Sequence, residues 1–124
     1  MTQLTTLGRV LVPVADQDQA IAFYTQVLGF TLTADVPFAE DSRWVEVTPP
    51  GGGAAIALVP PQGSYQPGRM TGISLGSRDA RADYAELAGQ GVDVDAEIMG
   101  GGGGVPVLFF FRDHDKNQLM ISQE

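Results

Sequence analysis

The sequence predicts an α+β fold of two βαβββ modules related by pseudo-twofold symmetry, and a repeated motif is the main reason. Asp16-Gln-Asp-Gln-Ala20 opens an apolar run at helical spacing through Phe23, Tyr24, Val27 and Leu28, which stops at Gly29. Phe30-Thr-Leu-Thr-Ala34 then alternates like a strand. Asp79-Ala-Arg-Ala82 opens a second such run through Tyr84 and Leu87, which stops at Gly91 before Val92-Asp-Val-Asp-Ala96 alternates. The Asp anchors lie 63 positions apart and the Gly stops 62 apart in a chain of 124 residues. A period this long, present only twice, fits a pseudo-twofold domain and not a solenoid. The second observation is the order of strand signals, one before each helix and three after it.

Leu7 to Val14 is rich in Val and Leu and alternates loosely, which predicts the first strand. Pro13 cannot donate to a ladder and marks a strand end or an edge. Asp16 or Asp18 suits the cap of the helix that follows, and Gly29 its left-handed stop. Strands are predicted over 31–37, 43–48 and 54–59, with Pro49-Pro-Gly-Gly-Gly53 as the hairpin turn between the last two. Pro60 to Gly68 holds three prolines, two glycines and Ser64, the composition of a linker. The second half repeats the order, with a strand over 72–76, a helix over 80–88 and strands over 92–98, 106–111 and 118–121. The domain reading is one unit over 1–124, with module one at 7–60, a linker at 61–70 and module two at 71–122. Gly100 to Gly104 reads as a flexible loop; the run precedes a strand and lacks the strand-to-helix setting of a phosphate cradle. Asp113-His-Asp-Lys-Asn117 reads as the turn between the last two strands.

Composition excludes more than it names. The formal charge of -8 argues against nucleic acid or an anionic membrane as a partner, since phosphate backbones require a basic face. No apolar run approaches the ~20 residues of a membrane span, and the N-terminus has no basic region or apolar core of a signal peptide. A cytoplasmic location is the expectation. The absence of cysteine removes disulfides, thiolate metal sites and a cysteine nucleophile together.

The order βαβββ–βαβββ resembles the vicinal oxygen chelate superfamily, the glyoxalase, bleomycin-resistance protein and ring-cleaving dioxygenase group. The likeness is carried by Val14-Ala-Asp16 followed by Ala20-Ile-Ala-Phe-Tyr24 and Leu28-Gly-Phe30, by Arg43-Trp-Val-Glu-Val47, and by the echo Asp79…Leu87…Gly91-Val92. Phe110-Phe-Arg-Asp113 through Asp115 and Asn117 is similar to the family's Asp-Pro-Asp-Gly-Asn turn, with His114 and Lys116 in place of Pro and Gly. The resemblance covers nearly the whole chain. It implies curved mixed sheets enclosing a cavity, and a homodimer.

Metal-dependent members of that family hold a divalent ion with four side chains on four strands. Carried over by motif, those positions are Arg9, Ala57, Gly72 and Met120 in this chain. An arginine repels a cation, and Ala, Gly and Met supply neither oxygen nor imidazole. The expectation is therefore no metal and no cofactor. His114, the single histidine, has two readings: an orienting dyad or metal ligand with Asp113 and Asp115, or a turn residue where the family has proline. Asp35, Glu40 and Asp41 read as a solvated strand end and loop.

If Arg9 keeps the former ligand position, its strand face with Leu11 looks into the cavity. The ligand-binding candidates are then Arg9, Leu11, Trp44, Ala57, Gly72, Ser74, Phe109, Phe111 and Met120; no catalytic residue is assigned. A buried guanidinium needs a partner, either Glu46 or a ligand anion. The functional reading is a metal-free protein of the bleomycin-resistance type that binds or sequesters a small organic molecule, a drug or a metabolite. The alternative is a metal-independent or relocated-metal isomerase, lyase or dioxygenase, and a third reading is an accessory subunit without its own ligand. Fold alone does not choose among these.

Overall fold

The computed structural model describes residues 1–124 and divides into two compact units, Met1–Pro67 and Gly68–Glu124. Each unit contains one four-stranded mixed sheet and one main helix. The first runs β1 (Arg9–Pro13), α1 (Gln17–Ala22), β2 (Thr31–Ala39), β3 (Ser42–Thr48) and β4 (Ala55–Val59). The second runs β5 (Met70–Ser77), α2 (Ala80–Gly89), β6 (Asp93–Val94), β7 (Leu108–Arg112) and β8 (Gln118–Gln123). Strand order is β1-β4-β3-β2 in one sheet and β5-β8-β7-β6 in the other, the same topology twice. In both sheets the first strand pairs parallel with the last of its module, and the remaining pairs are antiparallel.

The capping aspartates behave as their spacing predicts. Asp16 accepts from the Gln19 N–H, and Asp79 accepts from the Ala82 N–H, so each satisfies an otherwise orphaned donor of the first turn. The α1 run does not stay α-helical to its end. Phe23–Val27 widens into a π-helical turn, in which the Leu28 N–H reaches back to the Phe23 carbonyl, before Gly29 turns left-handed at φ 80°. This turn carries buried Phe23 and Tyr24, and Tyr24 packs edge-on against both Phe23 and Phe30.

Period-two alternation then splits each sheet into two faces. In the first unit α1 packs on β3 and β4, and the row Val12, Leu58, Val45 is fully buried. In the second unit α2 packs on β7 and β8, over Phe109, Phe111, Leu119 and Ile121. Tyr84 of α2 meets Phe109 edge-on, with ring centroids 5.1 Å apart.

The strand predicted over 92–98 is the one marked departure, since only Asp93 and Val94 pair as strand. At Asp95 the backbone N–H still donates to the Phe110 carbonyl, but the side chain takes the return bond: Oδ2 accepts from the Phe110 N–H, and Oδ1 accepts from Arg112. The Tyr84 hydroxyl bonds the carbonyls of both Asp95 and Ala96, so the backbone acceptors are spent locally.

Candidate functional site

On the first sheet, the face turned away from α1 carries the side chains with chemistry. The register sets Arg9 beside Ala55, Leu11 beside Ala57, and Ala57 beside Glu46. Trp44 follows on the same face of β3, two residues before Glu46, and Val36 of β2 pairs with Trp44. Phe38 stands edge-on to Trp44 with centroids 5.8 Å apart. Val36 and Phe38 are 52% and 73% exposed, so this face presents apolar surface to its surroundings.

Glu46 is the hub of the face. Its Oε2 accepts from the Trp44 indole N–H at 2.6 Å and from Arg9 Nε at 3.0 Å. The Glu46 side chain is 13% exposed and that of Arg9 51%, so the pair runs from a sheltered carboxylate to an open guanidinium. Between them lie the one-carbon side chains of Ala55 and Ala57, which leave the gap that the Arg9 stem must cross. The Tyr65 hydroxyl donates to the Leu11 carbonyl, tethering the segment after β4 to the edge strand.

The residues expected from the sequence separate into three groups. Arg9, Leu11, Trp44 and Ala57 share this face, with Ala57 fully buried beneath it. In the second unit Ser74 pairs with Met120, and Met120 with Phe110, on the face turned away from α2. Gly72 lies at φ 77° in the irregular stretch between Met70 and Ser74. Phe109 and Phe111 require correction. They pair with Ile121 and Leu119, are fully buried on the α2 side, and form core. Alternation makes Phe110 the member of that run on the helix-free face, and its pairing with Met120 is the signal that identifies it. Glu46 was expected only as a partner for Arg9; its position two residues from Trp44 marks it as a member of the face.

The expected metal positions offer no donor set. Arg9 is cationic and engaged by Glu46, and Ala57, Gly72 and Met120 bring no oxygen or nitrogen side chain. No group of three or more His, Cys, Asp or Glu side chains is placed to hold a metal ion. His114 is exposed in the turn between β7 and β8, where Asp113 and Asn117 are buried.

A cleft of about 290 Å³ lies on the other side of the first sheet, lined by Val14 to Asp18, Asp41, Arg43 and Pro60. Arg43 there is already committed, to Asp18 at 2.7 Å and to Asp35 at 2.9 Å. Those hydrogen bonds, Asp18's first, hold its guanidinium still further above its ordinary pKa.

A model of the glyoxalase/bleomycin resistance protein/dioxygenase superfamily matches residues 6–121. The chain belongs to that superfamily. A crystal structure of a superfamily member from Sphaerobacter thermophilus DSM 20745 is 30% identical, with TM-score 0.90, covering 99% of this chain and all of the other. TnmS3, an antibiotic binding protein from Streptomyces sp. CB03234, is 32% identical with TM-score 0.85, covering 99% of this chain and 98% of its own. Among curated proteins, the uncharacterized protein YetH of Bacillus subtilis (strain 168) is 29% identical over 120 residues, 94% of this chain and 97% of its own length. The superfamily and its two-sheet architecture are thereby established, and no helix is long and apolar enough to cross a membrane.

Proposed function

We propose that this superfamily member binds a small organic molecule, a drug or metabolite, without the divalent metal used elsewhere in its family. The observation that carries the reading is the helix-free face of the first sheet. It joins the exposed ring of Phe38, packed edge-on against a half-buried Trp44, to a half-exposed guanidinium whose terminal nitrogens bond nothing in the protein. Such a mixture of apolar surface and a few oriented polar groups is the usual make-up of a small-molecule site. The likeness to an antibiotic binding protein at 32% identity supports the same class of function. The donor chemistry of Arg9, Ala57, Gly72 and Met120 supports a metal-free site. The absence of an acid or base beside Arg9 other than its own salt-bridge partner favours binding over catalysis. Leu11 shares this first-sheet face, with Ala57 buried beneath it. The protein acts as a cytoplasmic homodimer in this reading.

Trp44 is the only tryptophan, so its emission reports directly on this face. Aromatic antibiotics titrated into the protein should quench or shift that emission, and Arg9→Ala should weaken the binding of a responding compound roughly ten- to a hundredfold. Elemental analysis of protein purified without chelators should find no stoichiometric metal. One equivalent of zinc, iron, nickel or manganese, or binding indifferent to Arg9, would overturn the reading.

A further inference from the structure

We infer that Glu46 sets the charge of the ligand: by neutralising Arg9 from a sheltered position, it makes this face favour an uncharged carbonyl acceptor over a carboxylate. The inference rests on the small-molecule reading above and names the ligand class that reading leaves open.

A guanidinium has five N–H donors, and only the one on Nε is used, on Glu46 Oε2. The four donors on the two terminal nitrogens bond nothing in the protein, so Arg9 retains hydrogen-bonding capacity although its charge is matched. A ligand carboxylate reaching those donors comes close to the Glu46 carboxylate, where like charges repel. Glu46 cannot readily turn away. Its Oε2 is held at once by the Trp44 indole N–H and by Arg9, and its side chain is mostly sheltered from the water that would screen it. An uncharged carbonyl oxygen accepts the same N–H donors and meets no such repulsion. The formal charge of -8 on the chain acts in the same direction against anions. The Trp44–Phe38 pair beside the donors supplies the apolar surface for the body of such a molecule.

Two near-isosteric probes separate the cases, 2-acetonaphthone with a neutral carbonyl and 2-naphthoate with a carboxylate on the same ring. Binding is read from the NMR signal of the single indole N–H, that of Trp44, whose acceptor is Glu46. The wild-type protein should bind the ketone roughly tenfold or more tightly than the carboxylate. Glu46→Gln keeps an oxygen acceptor for the indole and removes the charge, so it should reverse that order. Arg9→Met, which does not depend on the Gln variant folding, should weaken the ketone with no gain for the carboxylate. If the wild type binds naphthoate as tightly as the ketone, or the preference survives Glu46→Gln, the inference is overturned and the ligand site stands. If neither probe moves the Trp44 signal in any variant, the ligand site on this face falls and the inference with it.

Discussion

Gly100 shows how a run of identical residues hides unequal roles. Its backbone sits at φ 77°, and a Cβ there would lie 1.9 Å from the Pro106 carbonyl oxygen. Gly102 has neither constraint, with no positive φ and nothing within 4 Å of where a Cβ would stand. The loop is also tied internally, by the Gly101 N–H to the Val105 carbonyl at 2.8 Å and the Val105 N–H to the Gly102 carbonyl at 3.1 Å. Gly100→Ala should therefore cost at least the 1–3 kcal/mol, roughly, of a left-handed backbone, with the clash in addition. Gly102→Ala should stay within about 0.5 kcal/mol. Urea unfolding midpoints of the two variants test this, and equal midpoints would show the loop to be as unconstrained as its composition suggests. Composition alone gives a flexible loop because five glycines carry no information about which φ each adopts. The same blindness affected Phe109 and Phe111: three aromatics in a row do not say which parity faces the helix, and a shift of one residue exchanges core for surface.

Among the elements, the turn between β7 and β8 was the most legible, because Asp and Asn have specific turn chemistry that sequence displays. Asp113 Oδ1 accepts from the N–H groups of Asp115 and Asn117, and its Oδ2 from the Asn117 amide. Asn117 in turn accepts from the Gly68 N–H at 3.0 Å, so the turn also fixes the start of the second unit. Asn117 is 1% exposed, and its loss would strand buried partners; Asn117→Ala should cost about 1–3 kcal/mol by chemical denaturation. Lys116 departs from the family pattern at φ 66°, where glycine is at ease and lysine is strained. Its only ion pair, to Asp93 at 3.5 Å, is at the surface and contributes little. Lys116→Gly should thus leave stability unchanged or raise it by up to about 1 kcal/mol; a clear loss would mean the lysine has a partner of greater weight. The capping aspartates and the two helices were legible for the same local reasons. The shortening of β6 was not. It depends on Tyr84 and Arg112 capturing Asp95 and its neighbour, contacts between positions far apart in sequence.

For the whole molecule, the open question set by the fold is what covers the helix-free sheet faces. Each sheet buries one face under its own helix, yet Leu11, Val36 and Phe38 of the first and Met70 of the second remain exposed. Side chains of this size on a strand face are costly to leave in water and mark an interaction surface. β2 adds a nine-residue outer strand with Pro37 near its end, an edge that is only partly blunted. We predict that a second copy of the chain covers part of this surface, so light scattering at micromolar concentration should give twice the 13.1 kDa monomer mass. Phe38→Glu, which puts a charge on the most exposed aromatic of the face, should shift that mass to the monomer while circular dichroism stays unchanged. Salt gives an independent check. Two chains of formal charge -8 repel, and at roughly 0.5 M salt the screening length falls to a few ångströms, so an apolar contact between them should tighten. A pairing held mainly by ion pairs would loosen over the same range. A wild-type mass of 13.1 kDa at every salt concentration would refute the prediction and leave the exposed face to the ligand alone.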